Sequence, residues 1–197
     1  MKTGLVVVAV IVLAALIVGG WFVSVNNQLV ARDQAVQETW AQVQNVYQRR
    51  ADLIPNLVET VKGFAAQERT VLEEVTRARA SASSIQLTPE ALNDPAAMRR
   101  FQEAQSQLGS ALSRLLVTVE RYPELKSNQN FLALQSQLEG TENRIAVERR
   151  RFNEAVREYN TLVRRLPSSF VASLRGFRER PFFEATPGSE APPPVKF

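Results

Sequence analysis

The strongest constraint on this chain lies near its start: from Gly4 to Val25 it runs 22 residues without a charged side chain. A backbone in hydrocarbon must satisfy its own polar groups, and a helix does so within a single segment. As a helix the run reaches roughly 33 Å, enough to cross a hydrocarbon layer about 30 Å thick. The anchor residues are Leu5, Val12 and Leu16 in its apolar body and Trp21 and Phe22 near its end. The run exceeds the roughly 7–15 apolar residues of a secretory signal, and no A-x-A-like site follows it, so an uncleaved anchor is expected over 1–25. Lys2 and the terminal amine flank one side and Arg32 the other. This slight cation bias places the N-terminus in the cytoplasm and the rest outside it. The expected location is the cytoplasmic (inner) membrane, crossed once, with a periplasmic body where the cell has two membranes.

Beyond the anchor, apolar residues recur at sevens, the spacing that packs helix against helix. One segment carries Leu29, Val36 and Val43 with Trp40 and Tyr47; the next carries Leu57, Phe64, Val71, Ala78 and Ile85 with Val61 and Val75. A third has Phe101, Leu108, Leu115 and Tyr122 with Met98, Leu112 and Val119; the last has Phe131, Leu138, Ile145, Phe152, Tyr159 and Leu166. Pro55, Pro89, Pro95 and Pro123 punctuate these segments, and proline ends or opens helices. The helices are therefore predicted at 26–50, 53–84, 95–121 and 129–166, with Asp52, Asp94 and Asn128 as N-caps. The fold class is all-α: an N-terminal transmembrane helix, then an elongated antiparallel four-helix bundle, a rod of roughly 40–55 Å. The bundle and a C-terminal arm occupy 26–185, and the Pro-rich stretch 186–197 reads as a disordered tail. Leu132, Val147 and Leu162 fall outside the last seam and suggest a second, exposed one for self-association.

Composition narrows the function. With no histidine and no cysteine, imidazole bases, thiolate nucleophiles and nearly all zinc sites are unavailable. The 24 Lys and Arg are interleaved with 20 Asp and Glu, so the basic face that nucleic-acid binding needs is missing. Carboxylates could still act, and Glu139, Glu142 and Glu148 are the candidates, but their spacing to Arg144 and Arg149–Arg151 suits ion pairs along a helix. No enzyme, cofactor or metal is expected. The corner Arg49, Arg50, Asp52 and Asn56 reads as a cap and turn first and a binding patch second. The stretch from Phe170 to Phe183 alternates Phe170, Leu174, Phe177, Phe182 and Phe183 with Arg175, Arg178 and Arg180. It could lie on a bilayer, but because it is short and interrupted by Gly176 and Pro181 it is expected to fold back and bury its aromatics.

Several strings carry a resemblance: Arg49-Arg50-Ala51-Asp52-Leu53-Ile54-Pro55-Asn56-Leu57-Val58, Tyr122-Pro123-Glu124-Leu125-Lys126, Leu138-Glu139-Gly140-Thr141-Glu142-Asn143-Arg144-Ile145-Ala146, Arg149-Arg150-Arg151-Phe152-Asn153-Glu154, Tyr159-Asn160 and Pro181-Phe182-Phe183. In them the chain resembles the LemA family of bacterial membrane proteins. The resemblance implies an N-terminal membrane helix followed by an antiparallel four-helix bundle and no established catalytic activity. It also implies association with the cell envelope and with membrane remodelling in magnetosome formation, and TPM-domain proteins or membrane proteases as possible partners. A non-enzymatic envelope scaffold that binds the bilayer and copies of itself is the first expectation, and an adaptor for an envelope protease or TPM-domain protein is the alternative.

Overall fold

The computed structural model describes residues 2–89 and 91–184, and every regular element among them is a helix. These are α1 (Lys2–Phe64), α2 (Arg69–Ser84), a 3-10 turn (Ala91–Asn93), α3 (Pro95–Val119), α4 (Pro123–Lys126), α5 (Gln129–Arg164) and α6 (Ser168–Arg175). The tail expected at 186–197 lies outside the described residues. The first part of α1 is exposed all round as far as Trp21, as a lipid-facing span must be, and it is the one helix among the described residues long and apolar enough to cross a bilayer.

The chain divides into two compact units, Met1–Tyr47 with Ile145–Arg180, and Gln48–Arg144 with Pro181–Phe197. In the first, α1 and α5 run antiparallel, Arg32 pairing with Glu158 and Trp40 meeting the Phe152 ring edge-on at 5.5 Å. Leu29, Val36, Trp40 and Val43 are buried with Phe152, Val156, Tyr159 and Val163, and α6 buries Val171 and Ala172. In the second unit, Ile54, Leu57 and Val61 of α1 share a core with Leu72 and Val75 of α2, Leu108, Leu112 and Leu115 of α3, and Phe131 and Leu138 of α5. There α2 packs antiparallel along α3, tied by Glu74–Arg114 and Glu68–Arg121, both at 3.0 Å.

The predicted break between residues 50 and 53 does not exist: α1 continues through Pro55 to Phe64. Proline cannot donate to the carbonyl four residues earlier, so Ala51 should be left with an orphan acceptor. Arg79 of α2 supplies the missing donor, its Nε lying 2.7 Å from the Ala51 oxygen. Asp52 is therefore no cap; it is exposed within α1 and accepts from Gln48 Nε2 at 2.7 Å. The seam confirms the continuity, since Leu29, Val36, Val43, Arg50 and Leu57 keep one seven-residue register and all five are buried.

The real break falls at residues 65–68, where the prediction had one helix from 53 to 84. Glu68 precedes α2 without capping it. Its carboxylate instead accepts the Tyr122 hydroxyl at 2.8 Å and Arg121 at 3.0 Å, clasping this turn to the one after α3. Phe64 and Leu166, expected in seams, are 42% and 70% exposed because each sits where its helix ends. The other two caps hold: Asp94 Oδ1 accepts from Ala96 N at 2.8 Å with Pro95 opening α3, and Asn128 Oδ1 accepts from Phe131 N at 3.1 Å.

Candidate functional site

The corner at residues 49–56 separates into an outside and an inside. Arg49, Asp52 and Asn56 are exposed on α1, whereas Arg50 occupies a seam position and is 3% exposed. Its Nη1 donates to Glu142 Oε1 of α5 at 2.7 Å, and its Nη2 donates to the Gln105 side-chain and main-chain oxygens of α3. A guanidinium suits this place because its rigid fork serves several acceptors at once. Three helices of the second unit thus meet at one cation, and Arg79 brings in the fourth next door. The sequence grouped Arg50 with a polar turn; it is a structural tie.

Beside Glu142, an open cleft of about 510 Å³ lies between α3 and α5. Leu112, Leu116 and Leu138 form its apolar part; Ser113, Gln135, Glu139 and Asn143 give it a polar, acidic edge. Gln135 Nε2 holds Glu139 Oε1 at 3.0 Å, and Arg50 holds Glu142, so neither carboxylate stands isolated. Among the described residues no three acidic side chains gather as a metal site would require.

A second buried cation lies in the first unit. Asn160 of α5 brackets the main chain of Arg180, donating to its carbonyl and accepting from its N–H, both at 2.9 Å. Held there, Arg180 donates from Nη2 to Asp33 of α1 at 2.6 Å and lies 5.6 Å over the Tyr159 ring. Burial, and then the Asp33 charge, raise the Tyr159 phenol above the ordinary tyrosine value. The Tyr122 phenol is raised too, chiefly by its hydrogen bond to Glu68. Sequence reading missed the Asp33–Arg180 pair because 147 positions separate its members.

The aromatic arm does not fold back as one piece. Phe183 is buried, its ring 6.4 Å from Phe101 in the second unit, and Phe182 is exposed. In the first unit Phe177 is half-buried, while Phe170 and Leu174 are 72% and 76% exposed. Their exposure follows from helix geometry: α6 turns Val171 and Ala172 to the core, which puts Phe170 and Leu174 on the other face. In the anchor, Leu5, Val12 and Leu16 are exposed, and Trp21 and Phe22 begin the transition to burial that Val25 completes.

Four polar residues in the strings that suggested the family, Arg50, Glu142, Tyr122 and Asn160, therefore hold separate segments together. The LemA family matches the chain over residues 39–197, most of its length, and the chain belongs to that family. It is similar to Magnetosome protein MamQ of Magnetospirillum gryphiswaldense, 26% identical over 182 residues that cover 84% of this chain and 67% of that protein. Magnetosome protein MamQ 1 and MamQ 2 of Paramagnetospirillum magneticum are each 25% identical over 182 residues, with the same coverage.

Proposed function

We propose that this LemA-family protein is a non-enzymatic, membrane-anchored scaffold of the bacterial cell envelope that assembles with copies of itself and shapes the bilayer it sits in. The observation that carries this reading is the unbroken passage of α1 from its apolar run into its packed part. Val25 is the first buried residue after the exposed run, and Leu29 and Val36 follow on the same helix with no joint between. A body joined this way transmits its placement to the membrane, which a scaffold needs and a tethered enzyme does not. The finer fold proposed for the body is an antiparallel four-helix bundle, supported by the three-helix tie at Arg50 and by α2 against α3. The proposed topology is a single pass with the body outside the cytoplasm.

Self-assembly is supported by apolar side chains on α5 that the fold leaves outside its core. Leu132 and Val147 are 48% and 42% exposed, and Leu162 is half-buried. A photo-crosslinking residue at Val147 in living cells tests the proposal. The expected product is twice the mass of the chain; capture only of a different polypeptide would refute it. The adaptor reading, with a TPM-domain protein or membrane protease as partner, is favoured by the cleft, whose leucines and carboxylates would suit a segment of apolar and basic residues. A crosslinker at Ser113 would then capture a second protein.

A further inference from the structure

We propose that α6 is a second membrane contact, lying on the bilayer surface beside the end of the span. Its Phe170 and Leu174 edge, with Leu166 in the turn before it, inserts below the headgroups, and the flanking arginines rest on anionic headgroup phosphates. Three observations place it there. Arg175, the last residue of α6, donates from Nε to Asn26 Oδ1 at 2.9 Å, and Asn26 immediately follows the apolar run. The start of α6 reaches the same level by another route. The antiparallel pairing of Arg32 with Glu158 and Trp40 with Phe152, continued at the same offset, brings the end of α5 beside the turn of α1 that begins at Asn26. Both ends of α6 are thus level with the mouth of the span, so the helix lies across it.

The two faces of α6 differ as this position demands. Ser168, Val171 and Ala172 are buried against the first unit. Leu166, Phe170 and Leu174 are 70%, 72% and 76% exposed, among the described residues the most exposed large apolar side chains beyond the span apart from Val117. Arg164, Arg165, Arg175 and Arg178 flank that edge in sequence and are all exposed, Arg164 also pairing with Glu179 at 3.6 Å. An apolar edge flanked by arginines, held at headgroup level by a covalently continuous span, matches an interfacial helix. The inference rests on the apolar run crossing a membrane and is independent of self-assembly.

The chain has no cysteine, so a single one can be introduced and labelled cleanly. Full-length Phe170→Cys, Leu174→Cys and, as a control on the exposed side of α5, Glu154→Cys would carry an environment-sensitive fluorophore. They would be reconstituted in phosphatidylcholine–phosphatidylglycerol vesicles containing a lipid with a nitroxide just below its headgroup. The expected result is blue-shifted emission at 170 and 174 and quenching about twofold or more above the control, as shallow insertion requires. Water-like, unquenched emission at both positions would overturn the proposal. So would blue-shifted but unquenched emission, which would mean that a second copy covers the edge. Replacing the anionic lipid with neutral lipid should weaken the quenching; no change would overturn the arginine contribution. Vesicle retention of all three variants in carbonate reports separately on the span, so failure there and failure here are distinguishable.

Discussion

Replacing Arg79 with Met removes the side-chain donor that serves the carbonyl Pro55 leaves open, and the cost follows from the geometry. The Ala51 oxygen belongs to a residue only 7% exposed, and Arg79 Nε reaches it at 2.7 Å. A buried acceptor stripped of its partner loses about 1–3 kcal/mol, with the upper part of the range fitting a charged donor. Pro55→Ala restores an N–H within reach of the same oxygen, so in that background Arg79→Met should cost no more than about 0.5 kcal/mol. The pair should therefore show a coupling of about 1–2 kcal/mol in a double-mutant cycle, well above the scatter expected of independent sites. Urea unfolding of the full chain in mild detergent, followed by far-UV circular dichroism, reads this out. With a slope near 2 kcal/mol/M, Arg79→Met should lower the midpoint by about 1 M in the parent chain and much less in the Pro55→Ala background. Equal losses in both backgrounds would refute the idea that Arg79 substitutes for a backbone donor.

The buried Arg50 gives an asymmetric prediction. Arg50→Met fills the same seam and should change stability by less than about 1.5 kcal/mol, while Glu142→Ala leaves a buried guanidinium short of an acceptor and should cost about 2–3 kcal/mol by the same unfolding measurement. Asn160→Ala removes both hydrogen bonds to the Arg180 main chain; amide exchange between residues 176 and 183 should accelerate by one to two orders of magnitude, corresponding to about 2 kcal/mol. Alkaline pH should destabilise the protein through Tyr159 and Tyr122. Their phenols are raised above 10.0, so the folded state keeps protons that the unfolded chain releases, and that stabilisation is whole below pH 10.0 and lost as pH climbs through the folded values. Tyr159→Phe should remove part of the loss in unfolding scans taken across that range. Finally, a maleimide that cannot cross membranes should label Ser106→Cys, an exposed position on α3, in cells whose inner membrane is intact; protection would place the body in the cytoplasm.

What the sequence showed and what it hid have separate physical origins. Seven-residue spacing reports which face of a helix is buried, and Trp40, Val43, Leu108, Leu115, Phe152 and Tyr159 all went where it pointed. Helix ends were harder. Pro55 is a strong breaker in isolation, and only the unbroken register from Leu29 to Leu57 argued against a stop there; Arg50 obscured it by putting a charge at a seam position. The break at 65–68 carries no proline, and the contact that holds its Glu68 lies on Tyr122, 54 positions away. The candidate corner was visible as a string of polar residues, yet which of them turned inward depended on Gln105 and Glu142, residues of other helices. The exposure of Phe170 and Leu174 depended on which side of α6 met the core, and α6 is too short for periodicity to reveal it.

The proposed scaffold role depends on self-assembly in the membrane. Its most direct test is energy transfer between Ser106→Cys chains labelled with donor and acceptor and reconstituted together in vesicles, measured while the protein is progressively diluted with lipid. Self-assembly should give transfer above the level of randomly scattered chains that persists on dilution. Transfer that falls in step with surface density, down to the random level, would contradict it.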